Sequence, residues 1–101
     1  MENRKHRRKD VKLSIELKTD QDVVQAYTAN LSLGGIFVRT DTRPALHSEV
    51  SLRMRLPNGE VLETAARVVH VVEDSETGGV GLEFVGSDEM MVHLQRYLDL
   101  L

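Results

Sequence analysis

The chain has 101 residues, 41% of them hydrophobic, and no cysteine. That predicts one small folded domain with a modest core and excludes a disulfide scaffold, a thiolate metal site and disorder throughout. The net charge of −3 hides an asymmetry: Met1 to Lys12 carries six Lys/Arg against two acids, and the remainder seven against fourteen.

A basic arm on an acidic body predicts an anionic partner for the arm. The body would repel an extended phosphate backbone, so nucleic acid is not the expected partner. No apolar run approaches the roughly 20 residues of a membrane span. The basic N-terminus has no apolar stretch behind it and does not read as a secretory signal. With no cysteine, the expectation is a cytoplasmic protein.

Residues 1–10 read as a flexible basic arm. Val11, Leu13, Ile15 and Leu17 alternate with Lys12, Ser14, Glu16 and Lys18, the period of a half-buried strand. Thr19 to Asp22 is a polar turn, and Val23 to Leu31 is a second strand with blurred alternation. Gly34-Gly35 interrupts it, and Ile36-Phe37-Val38 forms a third. Val50, Leu52, Met54 and Leu56 mark a fourth. Pro57-Asn58-Gly59 is a hairpin turn, because Asn-Gly tolerates the positive φ angles of tight turns. Glu60 to Val72 makes a long fifth strand, expected to bend near Ala65-Ala66. The acidic loop Glu73 to Gly78 leads to a sixth, in which Val80, Leu82 and Phe84 alternate with Gly79, Gly81 and Glu83.

The period then changes. Met90, Met91, Leu94, Tyr97, Leu98 and Leu101 form one stripe of an amphipathic helix over 87–101, with Ser87 as N-cap and Asp88 and Glu89 in the first turn. The fold expected is mainly β: a six-stranded antiparallel barrel over 11–86 with a C-terminal α-helix, in one domain spanning 1–101.

Two short motifs carry chemistry. Arg4-x-x-x-Arg8 supplies two guanidinium forks, which pair phosphate oxygens bidentately and stack on flat π systems. Lys5, His6 and Arg7 lie between them. Asn30-x-Ser32-x-x-Gly35 offers an amide, a hydroxyl and, with Gly34, bare backbone. Arg39 follows this turn by four residues. Together the motifs suit a small, doubly charged phosphate ligand carrying flat bases; guanine O6 and N7 fit the same arginine fork.

Other constellations fail. Gly-x-Ser-x-Gly would need glycine where Asn30 stands, so there is no nucleophile elbow. His6, His47, His70 and His93 lack metal-ligand spacing. Glu73-Asp74-Ser75-Glu76 does not match a calcium loop. Gly79-x-Gly81 continues a strand alternation, so its glycines serve close strand approach or a bulge rather than a nucleotide fingerprint. No carboxylate pair or Ser-His-Asp set points to an enzyme, and no cofactor or metal is expected.

In order, the Arg4-x-x-x-Arg8 arm, the Asn30-x-Ser32-x-x-Gly35 turn and Gly79-Val80-Gly81-Leu82-Glu83-Phe84 resemble the signature of the PilZ domain, the bacterial receptor module for cyclic di-GMP. The resemblance implies that Arg4 and Arg8 wrap over the ligand while Asn30, Ser32 and Gly35 line the barrel beneath it, with Asn3, Lys5, His6, Arg7, Gly34 and Arg39 as further candidates. Asn30 stands where aspartate is common in the family, and Arg7 where proline often stands. Asn3 occupies the position that influences whether one ligand or a stacked pair binds.

The implied function is a cyclic di-GMP receptor or adaptor, a monomer or weak dimer. Its arm orders on binding and it signals through an unidentified protein effector in motility, pili or exopolysaccharide control. The alternative is a PilZ-fold protein–protein adaptor that does not bind the nucleotide. A barrel binding single-stranded nucleic acid is disfavoured, because Tyr27, Phe37, Phe84 and Tyr97 are too few for a run of stacking platforms.

Overall fold

The computed structural model describes residues 10–41 and 44–100. Its elements are β1 (Ser14–Lys18), β2 (Val23–Leu31), β3 (Gly35–Arg39), β4 (Glu49–Arg55), β5 (Val61–Val72), β6 (Gly79–Val85) and α1 (Asp88–Asp99). The strands close into an antiparallel barrel in the order β1-β2-β3-β6-β5-β4, with β1 pairing both β2 and β4. Closure pairs each described strand with a neighbour on both sides.

Alternation decides what lies inside. In β4, Val50, Leu52 and Met54 are buried while Glu49, Ser51, Arg53 and Arg55 face solvent. Ile15, Leu17, Leu31, Ile36, Val38, Val68, Val80 and Leu82 also line the interior, each at most 2% exposed. Burying a large aliphatic side chain of this kind stabilises by about 1.5–3 kcal/mol.

Helix α1 begins where the sequence reading puts it. The Ser87 hydroxyl accepts the Met90 amide at 3.2 Å, with Asp88 and Glu89 in the first turn and Arg96 in the last. These charges complement the helix dipole. Met90, Leu94, Tyr97 and Leu98 are buried and join the barrel core, with Met91 packed beside them. Leu101 lies outside the described residues. At the Asn58-Gly59 hairpin, Gly59 takes φ +93° and the Leu56 amide donates to the Glu60 carbonyl at 2.8 Å. His93 Nδ1 lies 3.5 Å from Glu60 Oε2, so helix and hairpin meet there.

Three details differ from the sequence reading, the first being that α1, expected over 87–101, ends at Asp99 with Leu100 as its C-cap. The ladder of β1 begins at Ser14 rather than Val11, although Leu13 is buried and Val11 packs on the core. The last link is the Thr28 amide donating to the Leu13 carbonyl at 3.1 Å. The irregularity in β5 falls between Val68 and His70 rather than at Ala65-Ala66. Val68 there exchanges backbone hydrogen bonds with the connection into β4: its carbonyl accepts from His47 at 2.7 Å, and its amide donates to Ser48 at 2.9 Å. Gly81 stands opposite His70, where a methyl would come within 3.1 Å of the His70 Cβ.

Candidate functional site

The β2–β3 connection is built by Ser32. Its hydroxyl accepts the amides of Gly34 and Gly35, each at 3.2 Å, and donates weakly to the Gly35 carbonyl at 3.4 Å. The Ser32 amide also donates to that carbonyl, at 2.9 Å. Ser32 is 3% exposed. Its proton and both lone pairs are occupied within the turn, so its role here is to shape the backbone. Gly35 is buried as well, and a methyl on it would overlap the Leu82 carbonyl oxygen. The space a side chain would need is filled by β6, and glycine is what lets the two backbones come together.

Strand β2 carries a bulge between Thr28 and Asn30. This accounts for its blurred alternation. Thr28 turns inward, 2% exposed, and its hydroxyl bridges the Asn30 carbonyl at 2.8 Å and the Phe37 carbonyl at 3.1 Å. The extra residue returns Asn30 to the outer face.

Asn30, Phe37, Gly81 and His70 are successive cross-strand partners on β2, β3, β6 and β5, so they share one row of that face. Phe37 is half-buried between the inward Ile36 and Val38, and its ring lies beside the bare backbone of Gly81. The next row holds Ser14, Tyr27, Arg39 and Gly79. Arg39 Nη1 donates to the Glu76 carbonyl at 2.9 Å, bringing the acidic loop to the border of the face. That loop is shaped by Asp74, whose carboxylate accepts the Glu76 and Thr77 amides at 2.7 and 2.9 Å. The hydrogen bond from Thr77, then that from Glu76, holds its pKa below the usual 3.8.

The root of the arm reaches this same face. Leu13 is bonded to Thr28, and Lys12 Nζ lies 4.8 Å from the centroid of the Tyr27 ring. Lys12 thus lies beside the bulge, one outward position from Asn30, and Val11 before it packs on the core.

The structure thus brings together Asn30, Ser32, Gly34, Gly35 and Arg39. Arg4 and Arg8, with Asn3, Lys5, His6 and Arg7, lie outside the described residues. Sequence reasoning missed Thr28, Tyr27 and Phe37. Their signal was polarity out of phase: a threonine at an inward position, and aromatic residues at outward positions where strands usually carry polar ones. Among the described residues no group of three or more His, Cys, Asp or Glu is placed to hold a metal ion, and no helix is long and apolar enough to cross a membrane.

The PilZ domain family model matches residues 2–100. The chain belongs to the PilZ domain family. No curated protein sequence matches it. Among solved structures it is similar to the Bacillus subtilis inhibitor of motility MotI/DgrA, with 25% identity and a TM-score of 0.81 over 96% of this chain and 50% of that one. It is also similar to Escherichia coli YcgR in complex with c-di-GMP, with 17% identity and a TM-score of 0.82 over 95% of this chain and 44% of that one. The PilZ domain of CeSA from a cellulose-synthesising bacterium shares 19% identity, with a TM-score of 0.71 over 93% of this chain and 97% of that one. The chain thus spans about half the length of the motility inhibitor and of YcgR.

Proposed function

We propose that this PilZ domain is a receptor for cyclic di-GMP. The nucleotide sits on the β2–β3–β6 face, and Arg4 and Arg8 close over it from the N-terminal arm. One observation carries this reading: the arm is rooted at the face it would cover, through Leu13 to Thr28 and Lys12 over Tyr27. Arg8 lies four residues before Lys12, a reach of about 13–14 Å when extended. Asn30 lies about 7 Å from Tyr27, one outward step along a strand.

The ligand seen with YcgR supports the choice of nucleotide, because it presents the phosphates and flat guanines that an arginine pair suits. Asn30 reads a guanine edge, the Gly34-Gly35 backbone borders the site, and Ser32 holds that backbone in place. Several charge-assisted hydrogen bonds, each worth about 1.5–3 kcal/mol, work against ordering the arm at about 1–2 kcal/mol per residue. Micromolar affinity, about −8 kcal/mol, is the expected scale.

In this reading the domain binds rather than catalyses, and it needs no cofactor. Arm ordering presents a new surface to a protein effector in the cytoplasm, in control of motility, pili or exopolysaccharide; the motility inhibitor among the similar structures supports the first of these. The test is calorimetric titration with cyclic di-GMP at physiological salt, with GTP as control. Saturable binding specific to the cyclic dinucleotide is expected. Absence of heat, together with retained capture of a protein partner, would replace the receptor with a nucleotide-independent adaptor.

A further inference from the structure

Tyr27 is 53% exposed on the outer face, an unusual setting for a large aromatic side chain. The other aromatics among the described residues are more covered: Phe37 and Phe84 are half-buried, and Tyr97 is 8% exposed. Four neighbours define its surroundings. Arg39 on β3 and Ser14 on β1 are its cross-strand partners, and Asn30 is the next outward residue beyond the bulge. Lys12 covers one side of the ring at 4.8 Å from its centroid. An ammonium on one face draws electron density from the ring and favours an electron-rich partner on the other.

We propose that Tyr27 is a stacking platform for one guanine base of the bound nucleotide, with Lys12 backing the ring and Asn30 meeting the edge of the ligand alongside. The proposal rests on the receptor reading and adds a base-contacting residue that none of the three motifs contains. Spacing supports it. A base flat on Tyr27 lies within one strand step of Asn30. The same ligand therefore meets ring and amide without any rearrangement of the barrel. Stacking does not discriminate strongly between bases. Tyr27 would accordingly set affinity, while Asn30 and the arginines would set base identity.

The chain has two tyrosines and no tryptophan. Tyr97→Phe therefore leaves Tyr27 as the sole aromatic emitter of any strength. Titrating this variant with cyclic di-GMP, by emission and by calorimetry in parallel, should give saturable quenching in step with the binding heat. In the same background Tyr27→Leu should weaken binding about tenfold, the scale of one stacked base, whereas Tyr27→Phe should stay within about twofold. Binding heat without quenching overturns the platform and leaves the receptor standing, as does parental affinity in Tyr27→Leu. No heat from the unsubstituted chain overturns the receptor and the platform together. Quenching in the Tyr97→Phe protein does not depend on how well the Tyr27 variants fold.

Discussion

The two sides of the barrel's outer surface are built by the same strand alternation and differ in what stands at the outward positions. On one side, Gln25, Glu16, Arg53 and Glu63 are successive partners across β2, β1, β4 and β5. They satisfy one another sideways: Gln25 Nε2 donates to Glu16 at 3.1 Å, and Arg53 Nε lies 3.3 Å from the Glu63 carboxylate. On the other side the corresponding row is Asn30, Phe37, Gly81 and His70. It holds an amide, a flat ring and bare backbone, with no pair of opposite charges. A ladder of paired charges keeps a sheet soluble and occupied with itself, whereas the second row is suited to a flat, polar-edged ligand. The proposed nucleotide site uses the row that departs from the ordinary polar-out pattern.

The largest break in that comparison should come from the arm. In the proposed site, Arg8→Ala would remove a bidentate fork worth about 3–6 kcal/mol of charge-assisted hydrogen bonds. Calorimetry should show cyclic di-GMP affinity falling at least about a hundredfold, with the melting temperature unchanged; undiminished affinity would remove the arm from the account.

Gly35→Ala forces β3 away from the Leu82 carbonyl, a backbone overlap of the kind that costs about 1–3 kcal/mol. Thermal unfolding should drop by roughly 4–8 °C per kcal/mol. Thr28→Val should follow with about 1–2 kcal/mol, because the Asn30 and Phe37 carbonyls lose their shared donor. Its binding loss should exceed what its stability loss explains, since the bulge aims Asn30. Nucleotide titration at a temperature where the variant remains folded separates the two effects.

On the charged side, Arg53→Ala should change stability by less than about 1 kcal/mol and binding not at all, since both partners of its ion pair are more than half exposed. The smallest effect is acidic. The folded-state pKa of Asp74 lies below the usual 3.8, so its contribution to the Glu73–Gly78 loop is present above that value and lost as pH falls through the lowered one. The Glu76 and Thr77 amide resonances should move over that range while those of the β4–β5 hairpin hold. Stationary Glu76 and Thr77 resonances would contradict the geometry at Asp74.

Much of this was legible in the sequence, because period and turn chemistry are local. The period-two runs, the Asn58-Gly59 hairpin and the Ser87 cap each specify their own structure from a few neighbouring residues. The glycine-containing motif was legible as a position but not in its reason. Gly35 reads as open backbone for a ligand, yet what requires glycine is the Leu82 carbonyl of a strand nearly fifty residues away. Ser32 likewise reads as a free hydroxyl, whereas folding closes the turn around it. The bulge at Thr28 was visible only as blurred alternation, because whether a threonine points in or out depends on the register with β3. Tyr27 and Phe37 gained meaning only when pairing placed them beside Asn30. Long-range register, which no local pattern encodes, is what brought this set of outward residues onto one face.

The most direct test of the two-sided account is a map of backbone amide shifts during titration of the whole chain with cyclic di-GMP. The account predicts saturable shifts at Tyr27, Asn30, Gly34, Gly35, Phe37 and Gly81, with Glu16, Arg53 and Glu63 unmoved. Shifts centred on the charged ladder, or none at saturating nucleotide, would contradict it.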